Sequence, residues 1–358
     1  MEKQPKVTVL MTVYNGGHYI QESILSILRQ DFQEFELLIM NDASTDETVQ
    51  YIHALADPRI RLVNLEKNIG QAPALNQGMD LARGDYIARM DADDIAHPKR
   101  LLLQFKFMET HPSIVLLGST TIPFGQKRND SAGQYPMPRY PMQRWRFPIE
   151  HDRIQAGMLL GCQMSHPSVM MRRTFFDQHG LRYNPSYQPA EDYDLWTRAM
   201  EYGKLANLKD SLLYYRCHAS QLSSQRRDLQ YTNARRVRQH LFDKWSQNFS
   251  EAELSLHEAI ACGQFTPSVH FLEEAHTWFD KLLETNRNVP FFNQGALKET
   301  LAFHWLKLNL KHRSLGLKTW SCYRHSGLGK FYLADRPWMN PLLFLAGATY
   351  SSKAVFGK

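Results

Sequence analysis

Three carboxylates fall within four residues at Asp91, Asp93 and Asp94 of this 358-residue chain. They follow the short apolar run Tyr86–Met90. At the end of a buried strand such groups are partly desolvated and repel one another. A hard divalent cation, Mn2+ or Mg2+, relieves that cost, because it takes oxygen ligands and shares them with substrate phosphates. The competing reading is a solvated turn whose acids cap the helix that Pro98 opens. A second acidic group, Glu191, Asp192 and Asp194, starts another helical segment. One of its carboxylates can act as a general base. Equally, three acids can complement the positive end of a helix. His218 is one of 15 histidines. A neutral imidazole ligates divalent ions beside carboxylates, and an ordinary surface histidine is the alternative.

The elements needed to position these groups are legible in the first third of the chain. Val7–Val13, Leu37–Met40, Arg59–Asn64, Tyr86–Met90 and Ile114–Gly118 read as strands. Between them, His18–Arg29, a segment from a Ser44/Glu47 capping box through Ala54, Ala72–Ala82 stopped by Gly84, and Pro98–Met108 read as helices. This alternation implies a largely parallel sheet with helices on both faces. Ligands bind such sheets beyond the carboxyl ends of the strands. Tyr14 and Asn15 follow the first strand, Asn41 and Asp42 the second, and the Asp91 cluster the fourth. Asp42 can otherwise be a helix cap, and Tyr14 can be packing. Pro123–Pro148 reads as a long loop, and strand and helix signals return from Gly161 to about Ser224. From Arg226 the chain reads as helices rich in aromatic and basic residues.

Composition sets bounds on function. The chain is 43% hydrophobic and 22% charged, which suits a folded globular protein of one large or two ordinary domains. A net charge of +6 suggests an anionic companion: nucleotide phosphates, nucleic acid or an acidic membrane. The four cysteines show no paired spacing, which reads as a reducing compartment. No leader-like segment stands at the start, and no apolar run reaches the ~18 residues of a spanning helix. The expected location is therefore cytoplasmic, or peripheral on the inner face of the cell membrane.

The run KNIGQAPALNQGMDLARGDYIARMDADD, Lys67 to Asp94, resembles the donor-site segment of family 2 glycosyltransferases. Further pieces match in order: VTVLMTVYNGG, ELLIMNDASTD, SHPSVMMRR, EDYDLWTRA and YRCHASQLS. The resemblance covers roughly residues 5–225 and implies a GT-A fold, a mostly parallel Rossmann-like sheet, with an inverting mechanism. It implies a nucleotide pocket lined by Tyr14, Asn15, Asp42, Asn68 and Asp91, Asp42 accepting from the uracil ring. It implies a metal held by Asp91, Asp93 and His218, and Asp192 as the base. The expected donor is a UDP-sugar. The acceptor is a saccharide or lipid-linked saccharide of a bacterial surface polysaccharide, capsule or lipopolysaccharide. His166 and Pro167 read as strand residues with a structural role, and Trp196 as core or a wall of the acceptor pocket.

The expected domains are 1–225, with donor and acceptor halves meeting near residue 120, and a helical region 226–358. A sugar nucleotidyltransferase is the rival enzyme, but no Gly-rich loop with a basic residue follows the first strand. A Rossmann dehydrogenase is disfavoured for a similar reason, since no G-x-G-x-x-G follows that strand. The rival without catalysis is an inactive domain that binds membrane or nucleic acid, suggested by RRDLQYTNARRVRQH at Arg226–His240. Nucleic acid is the partner not expected. After Glu299, Trp305, Trp320, Phe331, Tyr332 and Trp338 alternate with basic residues before the apolar run Pro341–Ala346. That mixture suits an anionic membrane surface, or the core of a helical subdomain.

Overall fold

The computed structural model describes residues 4–17, 19–125, 144–218, 221, 226–245, 249–334 and 336. Strands β1 (Val7–Val13) and β2 (Phe35–Asn41) are buried at every position. A strand covered on both faces needs a nearly continuous apolar run, which both supply. With β3 (Ile60–Asn64) and β4 (Tyr86–Asp91) they form a parallel block in the order β3-β2-β1-β4. Helices α1 (Tyr19–Leu28), α2 (Thr48–His53) and α3 (Gln71–Leu81) make the crossovers. A Cβ at Gly78 would stand 2.3 Å from Leu10 Cδ1, so α3 lies against β1 only with glycine there.

The sheet continues through β7 (Met170–Arg172), β6 (Ile114–Gly125), β8 (Lys204–Cys217) and the two-residue β5 (Ile95–Ala96). β7 is antiparallel to both its neighbours, β6 and β8 are parallel, and β5 is antiparallel to β8. Helix α4 (Arg100–Thr110) precedes β6, and α5 (His151–Met158) follows it. The short α6 (Arg173–Gln178) and α7 (Glu191–Ala199) lie between β7 and β8.

Several local expectations are corrected. The Ser44/Glu47 capping box does not form, and α2 starts at Thr48. Ser44 instead accepts from the Asn15 amide at 2.9 Å, and Asp46 accepts from the Thr48 amide at 3.1 Å. Gly84 is not a cap; its amide donates to Thr8 Oγ1 at 2.9 Å where a Cβ would strike the Thr8 backbone. β6 runs on through Pro123 to Gly125, because among the described residues β8 is the only strand paired there and the missing N–H breaks no second ladder. The rest of the expected loop, 126–143, lies outside the described residues, as do His18 and residues 222–225. His166–Ser168 is a 3-10 turn before β7 rather than strand.

The chain divides into two compact units, Met1–Ile154 with Cys162–Val237, and Gln155–Gly161 with Arg238–Lys358. The first is the sheet and its helices, with a core that includes Val9, Met11, Ile24, Leu37, Ile39, Met90 and Leu101. Helix α8 (Arg227–Lys244) carries the chain from one unit to the next. The second unit continues with α9 (Glu251–Cys262), α10 (Val269–Asn288), α11 (Gln294–Lys311), α12 (Leu317–His325) and α13 (Gly327–Ala334). Ser250 and Glu253 cap α9 reciprocally, and Gly263 ends it at φ 67°. Its core gathers Phe242, Trp245, Leu272, Trp278, Phe279, Trp305 and Tyr323. Trp305 is therefore a core side chain, and its indole N–H donates to Ser326 Oγ at 2.8 Å. Trp338 and Pro341–Ala346 lie outside the described residues. Among the described residues no helix is long and apolar enough to cross a membrane.

Candidate functional site

The β1–β2 and β1–β4 registers place Tyr14, Asp42 and Asp91 side by side at the carboxyl edge of the parallel block. The loops after β1 and β2 are knitted together. The Asn15 side chain accepts from the Thr45 amide at 2.8 Å, and the Gly16 amide donates to Thr48 Oγ1 at 2.9 Å. Asn15 holds φ at 51°, a left-handed conformation that asparagine tolerates better than most residues. Tyr14 projects from this loop and is 51% exposed.

Asp42 is buried, and it is not a helix cap. Its Oδ1 accepts from the Ile69 amide at 2.7 Å and its Oδ2 from the Gly70 amide at 2.9 Å. The carboxylate thus fixes the segment just before α3, where Gly70 sits at φ 88°. Each oxygen keeps a second lone pair. The neighbouring Asn68 is exposed.

Ligand atoms of Asp91, Asp93 and Asp94 all lie within 4.8 Å of one another. The short β5 brings His218 to this cluster. It pairs Ile95 with Tyr214, so the end of β8 runs alongside the acids. His218 Nε2 lies 2.8 Å from Asp93 Oδ2. Arg216, also buried, donates its backbone amide to Asp94 Oδ1 at 2.8 Å and its Nε to the Asp93 carbonyl at 2.7 Å. Its guanidinium lies between the Tyr19 and Phe124 rings, and Tyr19 in turn contacts the His218 ring.

The electrostatics follow from burial. Burial pushes the Asp94 carboxyl well above its ordinary range, and the Asp93 and Asp91 charges add to it. Burial and Asp91 raise Asp93 as well, while His218 opposes the shift. Asp94 Oδ2 is buried and has no hydrogen-bond partner. An orphaned oxygen beside two more carboxylates and an imidazole is a donor set that fits a hard divalent cation.

The second acidic group stands at the start of α7. Asp194 is taken up by Arg198, whose Nη2 lies 2.6 Å from Asp194 Oδ2. That leaves Glu191 and Asp192. Burial raises Glu191 to about 7, with the Asp192 charge second. Burial raises Asp192 too, against the Tyr193 amide and the Arg89 charge. Cys162 Sγ lies 3.8 Å from Asp192 Oδ2. Trp196 is core: its ring packs among His166, Phe176 and Tyr183. His166 is held by Tyr183 at 2.9 Å, in keeping with a structural role.

Two contributors were not recognised in the sequence. Arg89 lies in the middle of β4, 1% exposed, paired with Asp91. Its Nε and Nη1 are buried without partners. Burial works against its charge, and Asp91 more than restores it. The same charge lowers Glu191 and Asp192, so one cation serves both acidic groups. The available signal was a lone basic residue inside an apolar strand. The second is α8. Gln230 donates to the Pro189 carbonyl at 3.2 Å, Asn233 to Gln188 at 2.9 Å and Arg236 to Ser186 at 2.8 Å. Three side chains thereby clamp the loop that leads into Glu191 and Asp192. Arg172, in the SHPSVMMRR segment, is engaged elsewhere, with the Met108 carbonyl at 2.9 Å. It bonds Tyr86, at the amino end of β4, at 2.9 Å.

Known proteins resemble this chain in sequence and in fold. The model of Glycosyl transferase family 2 matches residues 8–180. An uncharacterized glycosyltransferase of Haemophilus influenzae is 33% identical over 241 residues, covering 66% of this chain and 73% of the relative. The amylovoran biosynthesis glycosyltransferase AmsE of Erwinia amylovora is 29% identical over 224 residues, covering 61% of this chain and 79% of the relative. S. aureus TarS 1–349, solved with UDP-GlcNAc, superposes with a TM-score of 0.53 at 19% identity, covering 92% of each chain, and so shares the fold. The chain belongs to glycosyl transferase family 2 and is a glycosyltransferase with a GT-A-like fold.

Proposed function

We propose that the chain transfers a sugar from a UDP-sugar to a hydroxyl of a saccharide or lipid-linked saccharide, with inversion, in the synthesis of a bacterial surface polysaccharide. One observation carries this reading. Asp91, Asp93 and Asp94 converge at the carboxyl edge of the parallel strands, with His218 2.8 Å from Asp93. Asp91, Asp93 and His218 would hold Mn2+ or Mg2+, which when bound offsets the charge of the donor diphosphate and of the leaving UDP. Tyr14 and Asn68 are exposed beside Asp42 and are assigned to the nucleoside. The segment fixed by Asp42 is then the floor of that pocket. Uridine donors are the first to test because a protein of this fold was solved with UDP-GlcNAc.

Asp192 is the base. It takes the acceptor hydroxyl proton while that oxygen bonds the anomeric carbon. The bond from that carbon to the diphosphate breaks, and its electron pair leaves on UDP. Attack opposite the leaving group inverts the centre. A carboxyl raised above its ordinary range is a stronger base than a free aspartate, and Arg89 keeps it ionisable.

The test is UDP release over common UDP-sugars with Mn2+ or Mg2+, followed by NMR of the product linkage. Turnover should require the cation and stop in EDTA. Asp93→Ala should abolish it while the protein stays folded, since one member of a repelling cluster is gone. Full activity of Asp93→Ala, or a retained anomeric configuration, would overturn the assignment.

A further inference from the structure

The positive charge of this protein is concentrated on one part of it. Residues 300–336 hold seven Lys and Arg against one acid, Asp335. That is a net +6, equal to the net +6 of the whole chain, so all other residues together balance to zero. The donor-site unit therefore does not account for the basic pI.

Helix α11 turns an unusual stripe outward. Leu301, Ala302, Trp305, Leu306 and Leu308 face the core. Phe303, Lys307 and Leu310 recur at the i, i+4, i+7 spacing of the opposite face. Phe303 is 42% and Leu310 41% exposed. Lys307 Nζ lies 4.4 Å from the Phe303 ring centre. Tyr332 of α13 stacks beside Phe303 at 6.4 Å, and the Arg336 guanidinium lies 4.3 Å over Tyr332. The result is an apolar strip with a cation laid against each ring. On α12 the motif recurs, with Arg324 5.1 Å over Trp320.

We propose that this face docks on an anionic phospholipid surface. Rings and leucines suit the headgroup and acyl boundary, while the flanking cations meet lipid phosphates. Nucleic acid would be met by stacking rings and hydrogen-bonding groups rather than by an exposed Leu310. A second copy of the chain would set one net +6 segment against another, which is repulsive. The docking is independent of the transfer chemistry proposed above and can be measured without donor or acceptor.

The experiment is co-sedimentation of the full chain with vesicles of phosphatidylcholine, alone or mixed with phosphatidylglycerol. Binding should need phosphatidylglycerol and fall as salt rises and the Debye length shrinks. Lys307→Glu with Arg336→Glu should weaken partitioning at least about tenfold, since each cation near the surface contributes roughly fivefold. Phe303→Ser with Leu310→Ser should also weaken it, while the remaining binding stays salt-sensitive. Both pairs should keep the wild-type melting temperature and UDP-release rate. If the charge reversals melt early, Lys307→Gln alone and the salt titration still decide the matter. Indifference to phosphatidylglycerol vesicles at low salt, equal binding to phosphatidylcholine alone, or binding untouched by both pairs overturns the proposal. So does preferential binding of single-stranded nucleic acid, or a dimer that the Phe303→Ser and Leu310→Ser pair dissociates.

Discussion

Glu191→Gln should remove one identifiable part of the protein's pH dependence. Glu191 is 4% exposed, and burial together with the Asp192 charge carries its carboxyl from 4.5 to about 7. The unfolded chain releases this proton near 4.5, whereas the folded chain keeps it to about 7. Between those values the native state binds more protons, so its stability falls as pH rises. A separation of about 2.5 units corresponds to about 3 kcal/mol of stability, intact below pH ~4.5 and fully lost above pH ~7. Glutamine matches the shape and never ionises. Its amide brings an offset of ~1–3 kcal/mol if unpaired, but that offset does not depend on pH. The quantity to read is therefore the change in the variant-minus-wild-type difference. Urea unfolding followed by circular dichroism, in EDTA and without donor, should show that difference rising by up to ~3 kcal/mol from about pH 4.5 to about pH 8. Parallel curves for the two proteins would mean that Glu191 ionises normally in the fold. A variant that weakens relative to the wild type with rising pH would mean that the carboxylate is held as an anion by a cation. Either result refutes the burial argument.

Asp192→Asn should lose transfer by ~10²-fold or more while still binding UDP-sugar, because it removes the base and not the donor contacts; loss of donor binding, measured by calorimetry, would contradict the assignment. Arg89→Met should destabilise the fold by about 3 kcal/mol, because it leaves Asp91 and the α7 acids without their buried counter-charge. Adding Asp91→Asn should recover part of that loss in urea unfolding, and a single variant as stable as wild type would place the counter-charge elsewhere.

How far the site was legible depends on how local its parts are. The parallel block could be read because each strand is covered on both faces and must be apolar throughout, as Val7–Val13 is. The Asp91 cluster could be read only together with the ordered motifs around it, because three carboxylates after a strand suit a solvated capping turn as well as a cation site. The way His218 reaches it could not, because it depends on β5. Two residues, Ile95 and Ala96, show no periodicity, and their partner strand lies more than a hundred residues away. The clamp on the α7 loop is hidden for the same reason: Gln230, Asn233 and Arg236 act on carbonyls some forty to fifty residues earlier, and polar side chains on a helix look like a solvated face. Ser44 and Glu47 show the converse failure. Their spacing suits a cap, but Ser44 has a better use in holding Asn15 across the loop.

Arg89 shows how the legible and hidden parts meet. A buried guanidinium in a central strand costs stability unless its charge and its donors are both answered: Asp91 answers the charge, while Nε and Nη1 stay unpartnered. The same cation lowers the pKa values of Glu191 and Asp192, which burial alone would carry higher still. Without Arg89 the Asp192 carboxyl, proposed above as the base, would be pushed higher by burial, and Asp91 and Asp94 would face each other with less relief. Arg89 thus bears at once on the acid cluster at the end of β4 and on the acids at the start of α7. Within β4 it is enclosed by β1 and β7, the strands on either side.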